Sequence, residues 1–198
     1  MQDDRFEIRL SGSGGQGIIL ASVILAQAAT LAPANQVCQS QSYGPEARGG
    51  KCKAEVIISG RAIDYPKAGN LDVLLAMTQE GCDAYFHALK PGGILVVDAS
   101  LVEQLPTSRA VALPFTEIAR KLSGRTVAAN MAALGAICLL CPTIRCQDLE
   151  KAIDSHSPKG TAAINRKVFK AGMKAMRAVD LDLLPRAVAP TDDDEEEI

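Results

Sequence analysis

Two glycine-rich stretches hold the residue types best suited to chemistry. Residues 12 to 20 read GSGGQGIIL, so Gly12, Gly14 and Gly17 stand in a Gly-x-Gly-x-x-Gly spacing, with Gly15 and Gln16 between them. Phe6, Ile8 and Leu10 alternate with polar residues just before this turn, as in a strand, and an apolar helical stretch follows it. A glycine turn between a strand and a helix leaves backbone N–H groups free to face a phosphate or a carboxylate. In dinucleotide sites such a turn holds the pyrophosphate, and an acidic residue about 20 positions on takes the ribose hydroxyls. Here that region reads QVCQSQS, and the first acid after the turn is Glu46, inside a loop. A dinucleotide site is therefore disfavoured. The turn either faces an anion from another ligand or partner, or only lets strand and helix pack closely.

The second stretch, residues 42 to 50, reads SYGPEARGG. Gly44 and Pro45 fix a turn, and Gly49 with Gly50 allows close approach of backbone. Arg48 adds a planar cation suited to a carboxylate or phosphate. The same residues also fit a plain solvated turn in which Glu46 pairs with Arg48. Other candidates carry less. Cys138, Cys141 and Cys146 lie close in sequence, but the first two end an apolar helix and no fourth ligand is near, so buried thiols are expected there rather than a metal site. His87 is placed on a helix without a partner and His156 in a polar turn, and neither has a nucleophile's setting. Asp98, at a strand end, suits a turn or a helix cap better than a ligand. The chain lacks any complete set of catalytic groups.

The elements that position these residues alternate. A strand through Leu10 leads into a deeply buried helix over residues 16 to 31, closed by Pro33. QVCQSQ is a second strand, KCKAEVIISG a third, and LDVLLAM a fourth. Thr78, Glu80 and Gly81 start the next helix, and LKPGGILVVDAS turns into a buried strand ending at Asp98. AVALPF is a further strand; Thr116 is expected to cap the helix EIARKL, and a second helix runs from about Thr126 to Leu140. Thr161 caps a last helix, Ala162 to Ala178. This order predicts one layered α/β domain, residues 1–179, around a largely parallel sheet with flanking helices. Residues 180–198, ending TDDDEEEI, are expected to be an acidic, disordered tail. Ligands of parallel sheets lie at the carboxyl ends of the strands, so residues 12–17 and 42–50 are expected to be neighbours.

Composition narrows the class. Hydrophobic residues make up 47% of the 198-residue chain and charged residues 22%, which suits a subunit that buries surface against partners. A net charge of -2, no Trp and no basic patch argue against nucleic acid. The longest apolar run, Ile18 to Ala29, is interrupted by Ser22 and Gln27 and is too short to span a bilayer. The start, MQDDRFEIRL, lacks an apolar signal core, so a cytoplasmic protein with six reduced cysteines is expected.

GSGGQGIILASVILAQAA, QSYGPEARGG, KPGGILVVDASLV, VAANMAALGAI and SPKGTAAINRKVFKAGM together resemble the gamma subunit of 2-oxoacid:ferredoxin oxidoreductases. The likeness runs from about Arg9 to Met176, with the motifs in order. The loop SYGPEARGG is more similar to the 2-oxoglutarate or branched-chain 2-oxoacid branches than to the pyruvate or indolepyruvate ones. The resemblance implies a Rossmann-like domain of the pyruvate-ferredoxin oxidoreductase gamma type. It implies one subunit of an enzyme that oxidatively decarboxylates a 2-oxoacid, 2-oxoglutarate first, forms acyl-coenzyme A and reduces ferredoxin. Thiamine diphosphate and magnesium then belong to the alpha and beta subunits, iron–sulfur clusters to a ferredoxin-like delta subunit, and coenzyme A is a co-substrate. Gly12, Gly14, Gly15, Gln16, Gly17, Ser42, Tyr43, Gly44, Arg48, Gly49 and Gly50 match the family's loop motifs. By the same resemblance they form an edge facing a partner or coenzyme A, with no catalytic residue and no metal ligand among them. The alternatives are a 2-oxoisovalerate or pyruvate enzyme subunit, or a stand-alone nucleotide-binding oxidoreductase.

Overall fold

The computed structural model describes residues 5–43 and 51–185. In chain order these form β1 (Arg5–Ser13), α1 (Ile18–Thr30), β2 (Gln36–Tyr43), β3 (Lys51–Ser59), β4 (Leu71–Ala76) and α2 (Gln79–Tyr85). There follow β5 (Leu89–Asp98), β6 (Ala110–Leu113), α3 (Phe115–Ser123), α4 (Ala129–Leu140), α5 (Cys146–His156) and α6 (Ala162–Arg177). The strands make one six-stranded sheet in the order β2-β3-β1-β4-β5-β6. β1, β4, β5 and β6 run parallel, as expected. β3 is the departure: it returns between β2 and β1, antiparallel to both.

The alternation in β1 sorts its side chains onto two faces, yet both faces are covered. Ile8 and Leu10 are fully buried with Ala54, Val56, Ile58, Val73 and Leu75 under α1, α4 and α6. Each of these Ile, Leu and Val side chains contributes roughly 1.5–3 kcal/mol by leaving water. On the opposite face, Ile57, Leu74, Leu95 and Val97 pack against Cys82 of α2 and Val102. Glu7, Arg9 and Ser11 lie on that second face and are buried too. They are tolerated because each is paired: Arg9 Nη2 lies 2.7 Å from Glu55 Oε1, and Ser11 Oγ donates to the Leu75 carbonyl at 3.1 Å.

Helices α4 and α6 touch backbone to backbone. A Cβ on Gly172 would stand 1.9 Å from the Ala132 carbonyl oxygen, and one on Gly135 2.2 Å from that of Phe169. Only hydrogen at both positions permits this approach.

Several local expectations need correction. α3 is capped at Pro114, not Thr116, whose hydroxyl and N–H both donate to Asp98 Oδ2. Thr126–Ala128 form a separate 3-10 turn before α4. Thr161 does precede α6, but its hydroxyl donates to the Pro158 carbonyl at 2.8 Å and caps no amide. His156 ends α5, a helix not anticipated, rather than sitting in a turn. Cys138 and Cys146 are joined as a disulfide between α4 and α5, Cα to Cα 5.9 Å, so the expectation of six thiols fails at this pair. At the C-terminal side, Leu181–Leu183 form a 3-10 turn and Leu184 packs against the core. The rest of the expected acidic tail lies outside the described residues. None of the described helices is long and apolar enough to cross a membrane.

Candidate functional site

The carboxyl ends of β1 and β4 mark where the chain order reverses, and the turn Gly14–Gly17 lies there. β1 runs to Ser13, Gly15 and Gly17 adopt φ of 94° and 71°, and Gly17 is the residue capping α1. Asn130 of α4 reaches over it: its Nδ2 donates to the Gly17 carbonyl at 3.1 Å. A Cβ on Gly17 would meet that Nδ2 at 2.3 Å, so geometry and contact both demand glycine.

Gln16 fills the crevice between the two strand ends. Its Oε1 accepts from the Ser13 N–H at 2.8 Å, and its Nε2 donates to the Met77 carbonyl at 3.1 Å. Met77 N–H in turn donates to the Ser11 carbonyl at 2.9 Å. Gln16 thereby ties the turn to the ends of β1 and β4. The N–H groups of Gly14, Gly15 and Gly17 take no protein acceptor among the described residues, and Gly14 and Gly15 are exposed.

The second loop flanks the same edge. Tyr43 pairs with Cys52, which pairs with Gly12, and Lys51 pairs with Ser13. Ser42 stands opposite Lys53 one step in. Gly44, Arg48, Gly49 and Gly50 lie outside the described residues, as does Glu46. The strand ends on either side of them stand next to the glycine turn.

The neighbouring strand ends are structural. Thr78 caps α2 by accepting from Gly81 N–H at 3.2 Å. Asp98, fully buried, accepts from Ser100 N–H, Thr116 N–H and Thr116 Oγ1, tying β5 to α3. It is a turn and anchor residue. The Arg9–Glu55 pair was not legible as a site residue set, and it lies under Tyr85, whose ring Arg9 and Lys53 approach at 5.1 and 5.5 Å. Burial alone would raise the Glu55 carboxyl, but Arg9, Lys53 and the Ala68 N–H outweigh it and hold the group below its ordinary range.

No nucleophile is set up among the described thiols. Burial, with Asp83 nearby, pushes Cys82 up to about 11, and burial also raises Cys52 and Cys141. His87 lies in a 3-10 turn against Phe86, and His156 Nδ1 is within 3.1 Å of the Ala152 carbonyl. Among the described residues, no three His, Cys, Asp or Glu side chains converge as metal ligands.

Comparison with known proteins adds the context that geometry alone lacks. A 2-oxoglutarate synthase subunit, KorC, from Methanocaldococcus jannaschii is 43% identical over 177 residues, covering 87% of this chain and 95% of the relative. The crystal structure of a keto/oxoacid ferredoxin oxidoreductase gamma subunit from Geobacter sulfurreducens superposes with a TM-score of 0.79 at 45% identity, over 88% of this chain and 97% of that one. A 2-oxoglutarate:ferredoxin oxidoreductase from Magnetococcus marinus shares the fold, with a TM-score of 0.79 at 24% identity, within 33% of its longer chain. The family model for pyruvate ferredoxin/flavodoxin oxidoreductase matches residues 7–175, from β1 through α6, and so takes in the glycine turn, Gln16 and the strands beside them. By the extent of that match, the chain belongs to the pyruvate ferredoxin/flavodoxin oxidoreductase family.

Proposed function

We propose that this chain is the gamma subunit of a multi-subunit 2-oxoglutarate:ferredoxin oxidoreductase, which oxidatively decarboxylates 2-oxoglutarate, transfers the acyl group to coenzyme A and reduces ferredoxin. The observation that carries this is the nearly end-to-end likeness to a 2-oxoglutarate synthase subunit. The geometry is compatible with this: the glycine turn and the facing ends of β2 and β3 share one edge of the sheet. A stand-alone nucleotide-binding oxidoreductase fits less well, because no acid stands about 20 positions after the turn to take the ribose hydroxyls.

On this reading the alpha, beta and delta subunits hold thiamine diphosphate, magnesium and iron–sulfur clusters. Thiamine diphosphate, where bound, supplies the electron sink for decarboxylation. This chain's part is positional. Its two glycine-rich loops present backbone amides, and Arg48 a planar cation, toward a partner subunit or coenzyme A. The complex works in the cytoplasm, with ferredoxin as electron acceptor. Native purification from the source tests the assignment: the chain should elute with unlike subunits in fixed ratio. A homo-oligomer containing only this chain would refute it.

A further inference from the structure

The corner between α4 and α5 is closed by a covalent bond as well as by its loop. The disulfide Cys138–Cys146 joins the last turn of α4 to the first residue of α5, eight positions on. Its two ends differ in access. Cys138 is 4% exposed and lies in the core, whereas Cys146 is only partly buried. A thiolate arriving from solvent therefore meets the Cys146 sulfur first.

The helix does not need this bond to stay in place. α5 buries Leu149, Ala152 and Ile153 in the main core. Glu150 pairs with Lys170 of α6 at 3.0 Å, and Asp154 pairs with Arg166 of the same helix. At the start of α5, buried Asp148 holds Arg145 at 2.6 Å and Lys151 at 3.1 Å. Breaking the disulfide thus loosens the corner and leaves the helix docked. The neighbouring thiol does not compete for exchange, because Cys141 is 3% exposed and burial raises it. The setting matters as well. In the cytoplasm thiols are kept reduced, and the disulfides that do form there are mostly redox-sensing or catalytic.

We propose that Cys138–Cys146 is a reversible redox site that exchanges with dithiols and so opens and closes the α4–α5 corner. One thiolate of the dithiol attacks Cys146 Sγ and forms a mixed disulfide. The Cys138–Cys146 bond breaks, and Cys138 Sγ leaves with the electron pair and takes a proton. The second thiolate of the dithiol then attacks its own sulfur in the mixed disulfide and releases Cys146, which is protonated in turn. Two electrons and two protons pass to the chain, and the dithiol leaves as a disulfide. A small disulfide drives the reverse reaction. Closed, the bond fixes the first turn of α5 to α4; open, that turn is held by its packing and ion pairs alone. This inference takes its reducing setting from the gamma-subunit reading.

The test uses the native complex, purified without reductant, and adds dithiothreitol in the absence of denaturant. The sample is quenched in acid and unfolded, and free thiols are counted by mass after reaction with N-ethylmaleimide. Four of this chain's six cysteines should react before treatment and all six after it. Oxidised glutathione should restore the Cys138–Cys146 bond. Hydrogen exchange should quicken about tenfold or more at residues 141–149 on reduction, and stay unchanged in β1 and β3. The double variant Cys138→Ser with Cys146→Ser should show the faster exchange with or without dithiothreitol. A bond that yields only in denaturant, six free thiols before treatment, or exchange that quickens throughout the chain or not at all would each overturn the proposal. In a complex of unlike subunits, any of these leaves the gamma-subunit reading standing. A homo-oligomer of this chain alone refutes that reading instead, and the thiol counts then decide the exchange by themselves.

Discussion

The side-chain amide of Gln16 bridges two strand ends, accepting from Ser13 N–H at 2.8 Å and donating to the Met77 carbonyl at 3.1 Å. A glycine turn with the spacing of a nucleotide site is thereby tied to both strand ends. Gln16→Ala removes both bonds and leaves a partly buried amide and carbonyl unpaired, so the free chain should lose about 1–2 kcal/mol, read by urea unfolding. NAD and NADP should show no micromolar binding in calorimetry to either protein, because no acid stands where the ribose hydroxyls would lie. An unchanged unfolding midpoint would mean that the bridge does not stabilise the fold.

The α4–α6 contact makes a second, separate demand. Gly172→Ala places a methyl 1.9 Å from the Ala132 carbonyl, against backbone that has no rotamer to yield. The helices must part, and the cost should be about 2–3 kcal/mol. A midpoint of denaturation equal to wild type would show that the two helices are not in backbone contact.

Glu55 sets an acid limit on stability. Its carboxyl is held below the ordinary 4.5, because Arg9, Lys53 and the Ala68 N–H outweigh the cost of burial. A depressed carboxyl contributes stability above its unfolded value and loses it as pH falls through the folded one. Stability should therefore be level near neutrality and fall below about pH 4.5. Glu55→Gln should cost about 2–3 kcal/mol at neutral pH by leaving Arg9 buried without its counter-charge. The variant should also lose part of the acid slope; a parallel pH profile would assign that slope to other carboxylates.

Much of this architecture was legible in the chain, and the limits have a common cause. β1 announces itself by alternation of Phe6, Ile8 and Leu10 with polar residues, β4 and β5 by apolar runs of strand length, α1 by apolar residues on nearly every side, and α2 by Thr78 before Glu80 and Gly81. These are local signals. α5 had one as well, with Leu149, Ala152 and Ile153 at helical spacing and buried, but Arg145 gives no side-chain cap to mark its start. What stayed hidden joins distant residues. Gln16 meets Met77 61 positions on, Arg9 meets Glu55 46 positions on, and Asn130 meets Gly17 113 positions back. No spacing rule reaches such pairs, because the fold alone brings them together. The glycine turn was readable as a turn; its tie through Gln16 to Met77 was not.

Arg48 lies outside the described residues, but the ends of its segment, Tyr43 and Lys51, meet the edge that holds the turn. If its guanidinium grips a buried carboxylate or phosphate, Arg48→Ala should cost about 2–5 kcal/mol in binding, and lysine should not restore it. In the intact complex this reads as a raised KM for coenzyme A or as weakened co-purification. A solvated Glu46–Arg48 pair would make both variants nearly neutral.

The central claim is that this chain supports chemistry held on other subunits. Its most direct test is ferredoxin reduction measured with 2-oxoglutarate and coenzyme A, comparing the chain alone, the remaining subunits alone, and the two recombined. The account predicts no turnover by the chain alone and restored turnover only when it rejoins the other subunits. Turnover by the isolated chain, or full activity in its absence, would contradict it.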